Sequence, residues 1–440
     1  MPFFNQKDGL FYLYYQKDTR NPVPFGDPFG WQLVTTKDFI NYTNYGEVLP
    51  KGSDDDQDQF VYAGSVFLNA NHDLVAYYTG YNRNFVNKEK PSQVLMQAVS
   101  SDGIKWNKLG IVNSLLPQKG YDGDDWRDPN VIWDEKNQEY LLILGTRLKG
   151  NKKLKTGRIV YFTSHDCQNW NFQGDFFAPD MYTMMEMPQL VRIGAWWYLI
   201  YSEYDYKKTT HYCYSRELNG NWIIPRDDTF NGRAYYAARC CGDDKRKYLF
   251  GWVPSKEAGK DINNYLWGGT FLPLEIYPAP DGVLQTKLVD SILETVESKI
   301  TVSDLKINSL SKRQEIIVQK KLKNNYLFSM DFLFEKDYGQ LGVIFFENEA
   351  TFEGYEFNIS MSDQAISIER TPNLRWFQMQ NIGLTRQKKL KTDRWYHLNL
   401  LVDDTIAVLD IEGTVLSCRI EKNISHLLSI SVYNSVCKVK

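Results

Sequence analysis

A short motif recurs at a fixed interval in the first part of this chain. It reads Ser or Thr, any residue, Asp, three further residues and an aromatic residue, and its aspartates are Asp38, Asp102 and Asp166. Successive aspartates are 64 positions apart. One copy is an ordinary turn, because Asp and Ser side chains bond to nearby backbone. Three copies at equal spacing indicate a structural repeat, and a degenerate fourth copy begins at Ser215.

A second series of segments runs alongside the motif. Five stretches rich in aromatic and β-branched residues have the length of strands and are bounded by turn-forming residues. They are residues 11–15, 74–78, 140–144, 197–201 and 248–252. Repeating units of roughly 50 to 65 residues with several strands each are typical of propeller blades, and five series predict five blades. We therefore expect a five-bladed β-propeller over residues 1–292.

The pattern changes after a cluster of turn-forming residues at 278–282. A short helix is expected within residues 288–298. Beyond it, alternating apolar and polar stretches are typical of an all-β sandwich. We expect strands at 314–320, 326–334, 341–347, 355–361, 365–369, 395–402, 405–411 and 415–420. The predicted fold class is all-β, a five-bladed β-propeller followed by a C-terminal β-sandwich over residues 293–440.

Composition narrows the classes of partner and cofactor. Charged residues make up 24% of the chain and the formal net charge is -3, so a nucleic-acid-binding surface is not expected. No run reaches the roughly 20 apolar residues that a membrane span needs. Met1 to Asn5 have neither the basic nor the apolar region of a signal peptide, which predicts a cytoplasmic protein. The six cysteines form no CxxC pair and histidines number only five, so no metal site is expected.

Two further patterns have ordinary explanations. Residues 54–58 include four aspartates, for which a solvated loop is the default interpretation. Calcium binding is the alternative, but the spacing does not match a calcium loop. The segment 423–425, Asn-Ile-Ser, matches the acceptor pattern for N-glycosylation, although nothing else in the sequence indicates secretion.

Two acidic residues stand in segments that suit catalysis, since the innermost strand of a blade faces the propeller axis. Asp128 lies between Arg127 and Pro129, and proline suits the first position of a strand. We expect Arg127 to keep Asp128 ionised; a surface ion pair in a turn is the alternative. Glu186 is flanked by methionines and followed by Pro188. Burial among apolar groups would favour the protonated form that a general acid needs, and an exposed loop Glu is the alternative.

Together these segments resemble glycoside hydrolase family 32, the invertases and fructan-cleaving β-fructosidases. The resemblance runs from the first residue to about residue 290, and Arg127-Asp128-Pro129 is an unaltered match. The other matching segments, in order, are Tyr-Tyr-Gln at 14–16, Trp31 with the box at 36–42, Tyr-Ala-Gly-Ser at 62–65, Glu-Met-Pro-Gln-Leu at 186–190, and Tyr-Tyr-Ala-Ala at 235–238 with Phe-Gly-Trp at 250–252.

The resemblance implies a retaining glycosidase acting on sucrose, sucrose phosphate or a fructan, without a metal or organic cofactor. Glu186 would be the acid/base, Asp128 would stabilise the transition state by binding sugar hydroxyls, and Arg127 would help to fix both. The residues that would line the fructosyl pocket are Gln16, Trp31 and Ser65. A fructosyltransferase would use the same residues. The expected partner is a carbohydrate, with neither nucleic acid nor membrane, and the oligomeric state is open.

The chain departs from the family pattern at several positions. Met187 stands where the family has a cysteine, and Gln189 where it has a second acid. Counting back from Gln16 by the family's spacing, the nucleophile motif falls at or just before Met1. The resemblance therefore implies an in-frame Asp upstream of this chain, and Asp8 is interpreted as the tip of a hairpin. The chain as it stands is expected to bind fructosides weakly and to turn them over poorly.

Three hypotheses from different classes follow. The first is a β-fructosidase whose true start lies upstream. The second is a sugar-binding propeller that binds fructan without cleaving it. The third is another five-bladed enzyme, such as an arabinan-type hydrolase. The unaltered Arg127-Asp128-Pro129 and the pair Gly64-Ser65 favour a fructoside over an arabinan as the ligand.

Overall fold

The computed structural model describes residues 1–205, 207–233, 235–243, 245–372, 379, 383–422 and 425–440. The acceptor asparagine of the glycosylation pattern, Asn423, lies outside these residues. Contacts divide the chain into two compact units, residues 1–225 with 237–250 and residues 226–236 with 251–440. The predicted domain boundary at residue 292 falls inside the second unit, and it stays a prediction.

Five small sheets take up the first two thirds of the chain, and within each sheet hydrogen-bonded neighbours are consecutive strands. The first sheet contains β1 (Pro2–Asn5), β2 (Leu10–Gln16), β3 (Trp31–Thr36) and β4 (Tyr42–Leu49). The second contains β5 (Phe60–Leu68), β6 (Leu74–Tyr81), β7 (Gln93–Ser100) and β8 (Asn107–Ile111). The third contains β9 (Tyr121–Asp134), β10 (Glu139–Leu148), β11 (Gly157–Ser164) and β12 (Asn171–Phe177).

The fourth sheet has three strands among the described residues, one fewer than each of the other four small sheets. They are β13 (Met185–Ile193), β14 (Trp196–Glu203) and β15 (Thr210–Ser215). Beyond β15, a single bridge joins Tyr214 to Ile223 in place of a fourth strand. The fifth sheet contains β16 (Tyr236–Gly242), β17 (Lys247–Lys256), β18 (Tyr265–Pro278) and β19 (Leu284–Leu288).

Each predicted aromatic stretch forms the second strand of a sheet, in β2, β6, β10, β14 and β17. These strands are almost continuously buried because side chains on both faces meet a neighbouring sheet. In β6, for example, Tyr78 packs with Trp31 of the first sheet, whereas Tyr77 belongs to the same core cluster as Trp126 of the third sheet. Successive residues of a strand point to opposite faces, so one strand supplies both cores.

The three Ser/Thr-x-Asp boxes occupy equivalent places, each directly after the third strand of its sheet. The Asp38 Oδ1 accepts backbone N–H bonds from the residues two and three positions on, at 2.9 and 2.8 Å. Asp102 and Asp166 make the same pair of bonds, each at 2.8 Å. The residue after each Asp has a left-handed φ, between 58° and 73°. The predicted repeat is therefore confirmed.

Two larger sheets follow a six-residue helix, α1 (Asp290–Thr295). Their strands are β20 (Lys299–Thr301), β21 (Leu305–Ser309), β22 (Gln314–Gln319), β23 (Asn325–Phe334), β24 (Gln340–Glu347), β25 (Gly354–Ser360), β26 (Ala365–Thr371), β27 (Thr385–Gln387), β28 (Tyr396–Asp403), β29 (Ile406–Ile411), β30 (Thr414–Arg419), β31 (Leu427–Tyr433) and β32 (Ser435–Val439). One sheet has the order β21-β32-β23-β28-β29-β30 with β20 beside β23, and the other β22-β31-β24-β25-β26-β27. Apolar side chains of both sheets, such as Phe332, Phe345 and Leu400, share one core.

Helical structure is sparse. Besides α1, three-residue 3-10 turns occur at Arg83–Phe85, Asn113–Leu115 and Glu257–Gly259. In the part of the chain that the structure describes, no helix has the length and apolar character that crossing a bilayer requires.

Three strands that carry matching segments, β5, β9 and β13, each contain a β-bulge. In each strand two residues face a single residue of the second strand, so the ladder is interrupted at the same level. The bulged pairs are residues 62–63, 128–129 and 187–188, and they face Thr79, Leu144 and Tyr201. Because β5 contacts β9 and β9 contacts β13, the three bulges lie on adjoining strands. Bulges re-aim side chains, and here they interrupt the segments that carry the predicted catalytic residues.

Candidate active site

One buried arginine, Arg127, connects the two predicted catalytic carboxylates. Its Nε and Nη2 donate to Oε1 of Glu186 at 3.0 and 2.7 Å. Its Nη1 donates to Asp125 at 2.5 Å and to Gln93 at 3.2 Å. Its Nε also lies 3.9 Å from Oδ2 of Asp128. Burial alone would lower the pKa of Arg127, but the nearby carboxylates outweigh it and the pKa lies well above its ordinary value.

Asp128 lies at the β9 bulge with a left-handed φ of 64° and is 4% exposed. Its Oδ2 accepts the backbone N–H of Met187 at 3.0 Å, and its own N–H donates to Oγ1 of Thr79 at 2.9 Å. Burial raises the pKa of Asp128, with Glu186 adding to the rise and Arg127 opposing it. Arg127 therefore acts on Asp128 in the expected direction, by favouring its ionised form, although its hydrogen bonds to carboxylates go to Glu186 and Asp125.

Glu186 is the second residue of β13, and its side chain is 16% exposed. It lies in a strand, so the alternative of an exposed loop Glu is wrong. The expectation of a carboxyl surrounded by apolar groups is also wrong, since two N–H groups of Arg127 point at one of its oxygens. The sequence could not indicate this bond, because the two residues lie on different sheets.

Asp125 and Arg147 complete the charge balance around Arg127. Arg147, on β10, bonds to the second oxygen of Asp125 through its Nη2. Burial would raise the pKa of Asp125, but Arg127 and Arg147 outweigh it and the pKa lies below its ordinary value. Sequence reasoning missed both residues, although the run Asp124-Asp125-Trp126-Arg127 shows that acids precede the arginine.

Two aromatic rings stand beside the charged cluster. The rings of Tyr62 and Tyr81 stack with centroids 4.7 Å apart and an angle of 21° between their planes. Burial raises the pKa of Tyr62, and the charges of Arg127 and Glu186 lie close enough to act on it. Tyr62 belongs to a matching segment, but Tyr81 carries no signal beyond ending an aromatic strand.

Trp31 was expected to line the pocket, and the structure places it elsewhere. It is 0% exposed, and its ring packs against Tyr14 and Tyr78 between the first two sheets. Its Nε1 donates to the carbonyl of Tyr62 at 2.9 Å. A side chain without exposed surface cannot contact a sugar, so this prediction is wrong. Trp31 instead supports the strand that carries Tyr62.

Gln16 pairs with Trp31 in the register between β2 and β3, and Ser65 lies on β5 with Tyr62. Gln16 ends β2 and donates through Nε2 to the carbonyl of Val61 at 3.2 Å. Ser65 is buried in β5, and among the described residues its Oγ has no hydrogen-bond partner. Their predicted contacts with the sugar stay predictions.

Gln189, at one departure from the resemblance, bonds to the backbone of the fifth sheet. Its Nε2 donates to the carbonyl of Cys240 at 2.7 Å, and its Oε1 accepts the N–H of Cys240 at 2.6 Å. A carboxylate can only accept hydrogen bonds, so an acid here would leave the Cys240 carbonyl without this donor. Gln189 therefore has a structural role in joining β13 to β16.

The acidic run at residues 54–58 is structured. Asp58 is buried, forming an ion pair with Lys108 at 2.5 Å and accepting the hydroxyl of Tyr78 at 3.1 Å. Asp56 accepts the backbone N–H of Ser53 at 2.8 Å. The default interpretation of a solvated loop therefore does not describe Asp58. Within the described ranges, no group of three or more His, Cys, Asp or Glu residues is arranged to hold a metal ion.

Comparison with known proteins gives a family match over most of the first part of the chain. The family model described as the glycosyl hydrolases family 32 N-terminal domain matches residues 3–274. A levanbiose-producing levanase from Bacillus subtilis is 26% identical over 202 residues, which are 44% of this chain and 34% of that protein. A sucrose-6-phosphate hydrolase from Vibrio alginolyticus is 25% identical over 310 residues, 65% of this chain and 59% of that protein. The chain thus spans less than two thirds of these curated relatives.

Solved structures with the same fold cover nearly the whole chain. Sucrose-6-phosphate hydrolase from Lactobacillus gasseri superposes with a TM-score of 0.73 at 18% identity, over 99% of this chain and 89% of that chain. Fructan 1-exohydrolase IIa from Cichorium intybus gives a TM-score of 0.73 at 14% identity, over 100% and 93%. At these identities the likeness is one of fold, and it confirms the predicted five-bladed β-propeller followed by a β-sandwich.

Proposed function

The chain belongs to glycosyl hydrolases family 32, and from this membership we propose that it is a glycosidase acting on β-fructosides. The observation that carries the proposal is the placement of Asp128 and Glu186 on adjacent bulged strands around Arg127. The names of the relatives, levanase and sucrose-6-phosphate hydrolase, support sucrose, sucrose phosphate or a fructan as the substrate. Family membership favours this reading over an arabinan-type hydrolase.

In the proposed mechanism Glu186 is the acid/base. It donates a proton to the departing oxygen and then activates the water that releases fructose, as in retaining glycosidases. Before it can donate a proton, the Oε1 that accepts both bonds from Arg127 has to be released or the second oxygen used. Substrate binding next to Arg127 would provide this release, because sugar hydroxyls compete for the same N–H groups.

Asp128 has a different task in this proposal. Its Oδ2 is fixed by the N–H of Met187, which leaves the carboxyl to accept sugar hydroxyls in one orientation. A retaining mechanism also needs a nucleophilic carboxylate about 5–5.5 Å from the acid/base. The predicted nucleophile and the predicted cytoplasmic location both stay predictions.

The second candidate function is a propeller that binds fructan without cleaving it. It is favoured by the hydrogen bonding of Asp125, whose two oxygens are bonded by Arg127 and Arg147. Asp125 is therefore not placed as a nucleophile. A chain with this site but no attacking carboxylate would keep the affinity for the sugar and lose turnover.

Hydrolysis assays with sucrose, levan and inulin test the proposal, with release of fructose as the readout. We expect Glu186→Gln to lower kcat by about 10²- to 10⁴-fold, the usual contribution of general acid catalysis. Glu217→Gln is the matched control, because Glu217 is exposed and follows the last strand of the same sheet. It should leave kcat unchanged.

Three outcomes separate the candidates. Hydrolysis by the 440-residue chain that depends on Glu186 supports the glycosidase. Binding of levan or inulin without release of fructose supports the sugar-binding propeller. Hydrolysis that is unchanged in Glu186→Gln would remove Glu186 from the mechanism.

A further inference from the structure

A second buried arginine, Arg239 on β16, uses its guanidinium in an unusual way. Its Nη1 donates to the carbonyls of Gly64 at 2.8 Å and Pro129 at 3.1 Å, and its Nη2 donates to the carbonyl of Asp128 at 2.9 Å. The residue is 2% exposed. Among the described residues it has no carboxylate ion-pair partner, and its Nε has no hydrogen-bond partner.

Burying the Arg239 guanidinium without an ion-pair partner in the described part of the chain carries a large desolvation free energy. A buried charge is normally paired, because removing it from water costs several kcal/mol. Here burial lowers the pKa of Arg239 to about 10, and the charge of Asp128 opposes the shift. An arginine fork usually binds a carboxylate or phosphate with two parallel bonds. The guanidinium of Arg239 instead donates to backbone carbonyls, so its role is to hold the backbone in one geometry.

The carbonyls concerned lie in one β-bulge or directly beside another. Asp128 and Pro129 are the two residues of the β9 bulge, where the ladder with β10 is interrupted. Gly64 directly follows the corresponding bulge in β5. Buried carbonyls without a partner are strongly disfavoured, so bulges that lack a fixed donor would move to find one. Arg239 supplies a donor to both strands at once.

We propose that Arg239 is a positioning residue, which fixes the β9 bulge and thereby the side chains of Arg127 and Asp128 within the site. The link between residue and site is direct, because the carbonyls it holds are those of Asp128 itself and of the next residue. The inference rests on the proposed function only for its kinetic consequence. Its structural consequence, an immobile bulge, can be measured without turnover.

Thr79 holds the same bulge from the other side. Its Oγ1 accepts the N–H of Asp128 at 2.9 Å and donates to the carbonyl of Ala63, in the β5 bulge, at 3.1 Å. Arg239 and Thr79 therefore both connect the two bulges, one from β16 and one from β6. Two supports of one element should be energetically coupled, which a double-mutant cycle measures.

The variants for the test are Arg239→Lys, Arg239→Met, Thr79→Val and the double variant Thr79→Val/Arg239→Lys. Arg192→Lys is the matched control, since Arg192 is exposed in the same compact unit. Lysine keeps the charge but concentrates its donors on one nitrogen, so it should restore part of the function lost in Arg239→Met.

The first readout is amide hydrogen exchange of the peptide covering residues 126–131. We expect faster exchange there in Arg239→Lys than in the wild type or Arg192→Lys, with peptides from β2 unchanged. The second readout is kcat and KM on the fructoside that the wild type hydrolyses best. A displaced reacting group can lower turnover by up to about 10²-fold, so we expect kcat to fall by about 10- to 100-fold with a smaller change in KM.

Each result decides the inference. Faster exchange of this peptide in Arg239→Lys, with effects on kcat that do not add to those of Thr79→Val, supports it. Unchanged exchange with wild-type kcat overturns it. If the wild type does not hydrolyse any fructoside, the proposed function fails while the exchange comparison still decides the role of Arg239. If Arg239→Met does not fold, the lysine and Thr79 variants carry the test.

Discussion

Replacing Arg127 by methionine should destabilise the protein, and more strongly at pH 8 than at pH 5. The residue is 8% exposed and its side chain is bonded to Glu186 and Asp125, with Asp128 close by. Removing one partner of a buried ion pair costs about 3–5 kcal/mol, because the other charge stays buried without compensation. For a unit of about 240 residues, 1 kcal/mol corresponds to roughly 2–4 °C, so Tm should fall by about 6–20 °C.

The dependence on pH follows from the sign of the shifts. Burial already raises the pKa of Asp128, and Arg127 is the main group opposing that rise. Without Arg127 the pKa rises further. Above this raised pKa the carboxyl is charged and uncompensated, so the full penalty applies. Below it the carboxyl is protonated and the penalty is relieved. The loss in Tm should therefore shrink as the pH falls.

Differential scanning calorimetry at several pH values provides the measurement, with Arg192→Met as the control. Arg192 is exposed, and the same chemical change there should shift Tm little. A loss in Tm that is equal at pH 5 and pH 8, or no greater than that of the control, would refute the idea that Arg127 neutralises a buried carboxylate cluster.

Three further perturbations follow from single contacts. Trp31→Phe loses the N–H that reaches a buried carbonyl, so unfolding free energy in urea should fall by about 1–3 kcal/mol while KM stays the same; a changed KM at unchanged stability would mean that the indole meets the sugar. Asp38→Ala should lower the unfolding free energy by about 0.5–1 kcal/mol, and Asp38→Asn by less, since an amide oxygen still accepts the turn N–H bonds. Bonds from Asn41 lower the pKa of Asp38 to about 2. The stability that the charge of Asp38 contributes should therefore be complete above about pH 4 and lost as the pH falls through about 2. Equal stability of Asp38→Ala and Asp38→Asn would contradict the role given to the turn N–H bonds. Gln189→Glu removes a donor to the Cys240 carbonyl and should lower Tm, whereas an unchanged Tm would show that the link between the sheets is dispensable.

The repeat and most strands could be predicted because their signals are local. The Asp boxes close their own turns within four residues, and the second strands are covered on both faces, which leaves an apolar and aromatic run in the sequence. Predicted strands such as 326–334 and 405–411 agree with β23 (Asn325–Phe334) and β29 (Ile406–Ile411) within a residue. The strand β31 was missed, although its alternation of buried apolar residues with serines would have indicated it.

The bulges and their contacts could not be predicted, because they depend on partners far along the chain. Asp128 and Met187 have left-handed φ values although neither is glycine, so the residue types do not predict a bulge. The bond from Arg127 to Glu186 depends on the order of the sheets. The burial of Trp31 could not be predicted either, because a tryptophan in a matching segment can line the pocket or pack behind the strand that lines it.

The burial of the cysteines makes their thiols useful for measuring how fast the structure opens. All six are free, four in the first compact unit and two in the second: Cys167, Cys213, Cys240 and Cys241, then Cys418 and Cys437. Burial raises the pKa of Cys167, Cys240, Cys418 and Cys437 to about 12, so almost no thiolate is present at pH 8. An alkylating reagent reacts with thiolate, and it can reach these sulfurs only after the surrounding strands have separated. Mass spectrometry of the labelled peptides over time would therefore give a separate opening rate for each unit, without any introduced probe.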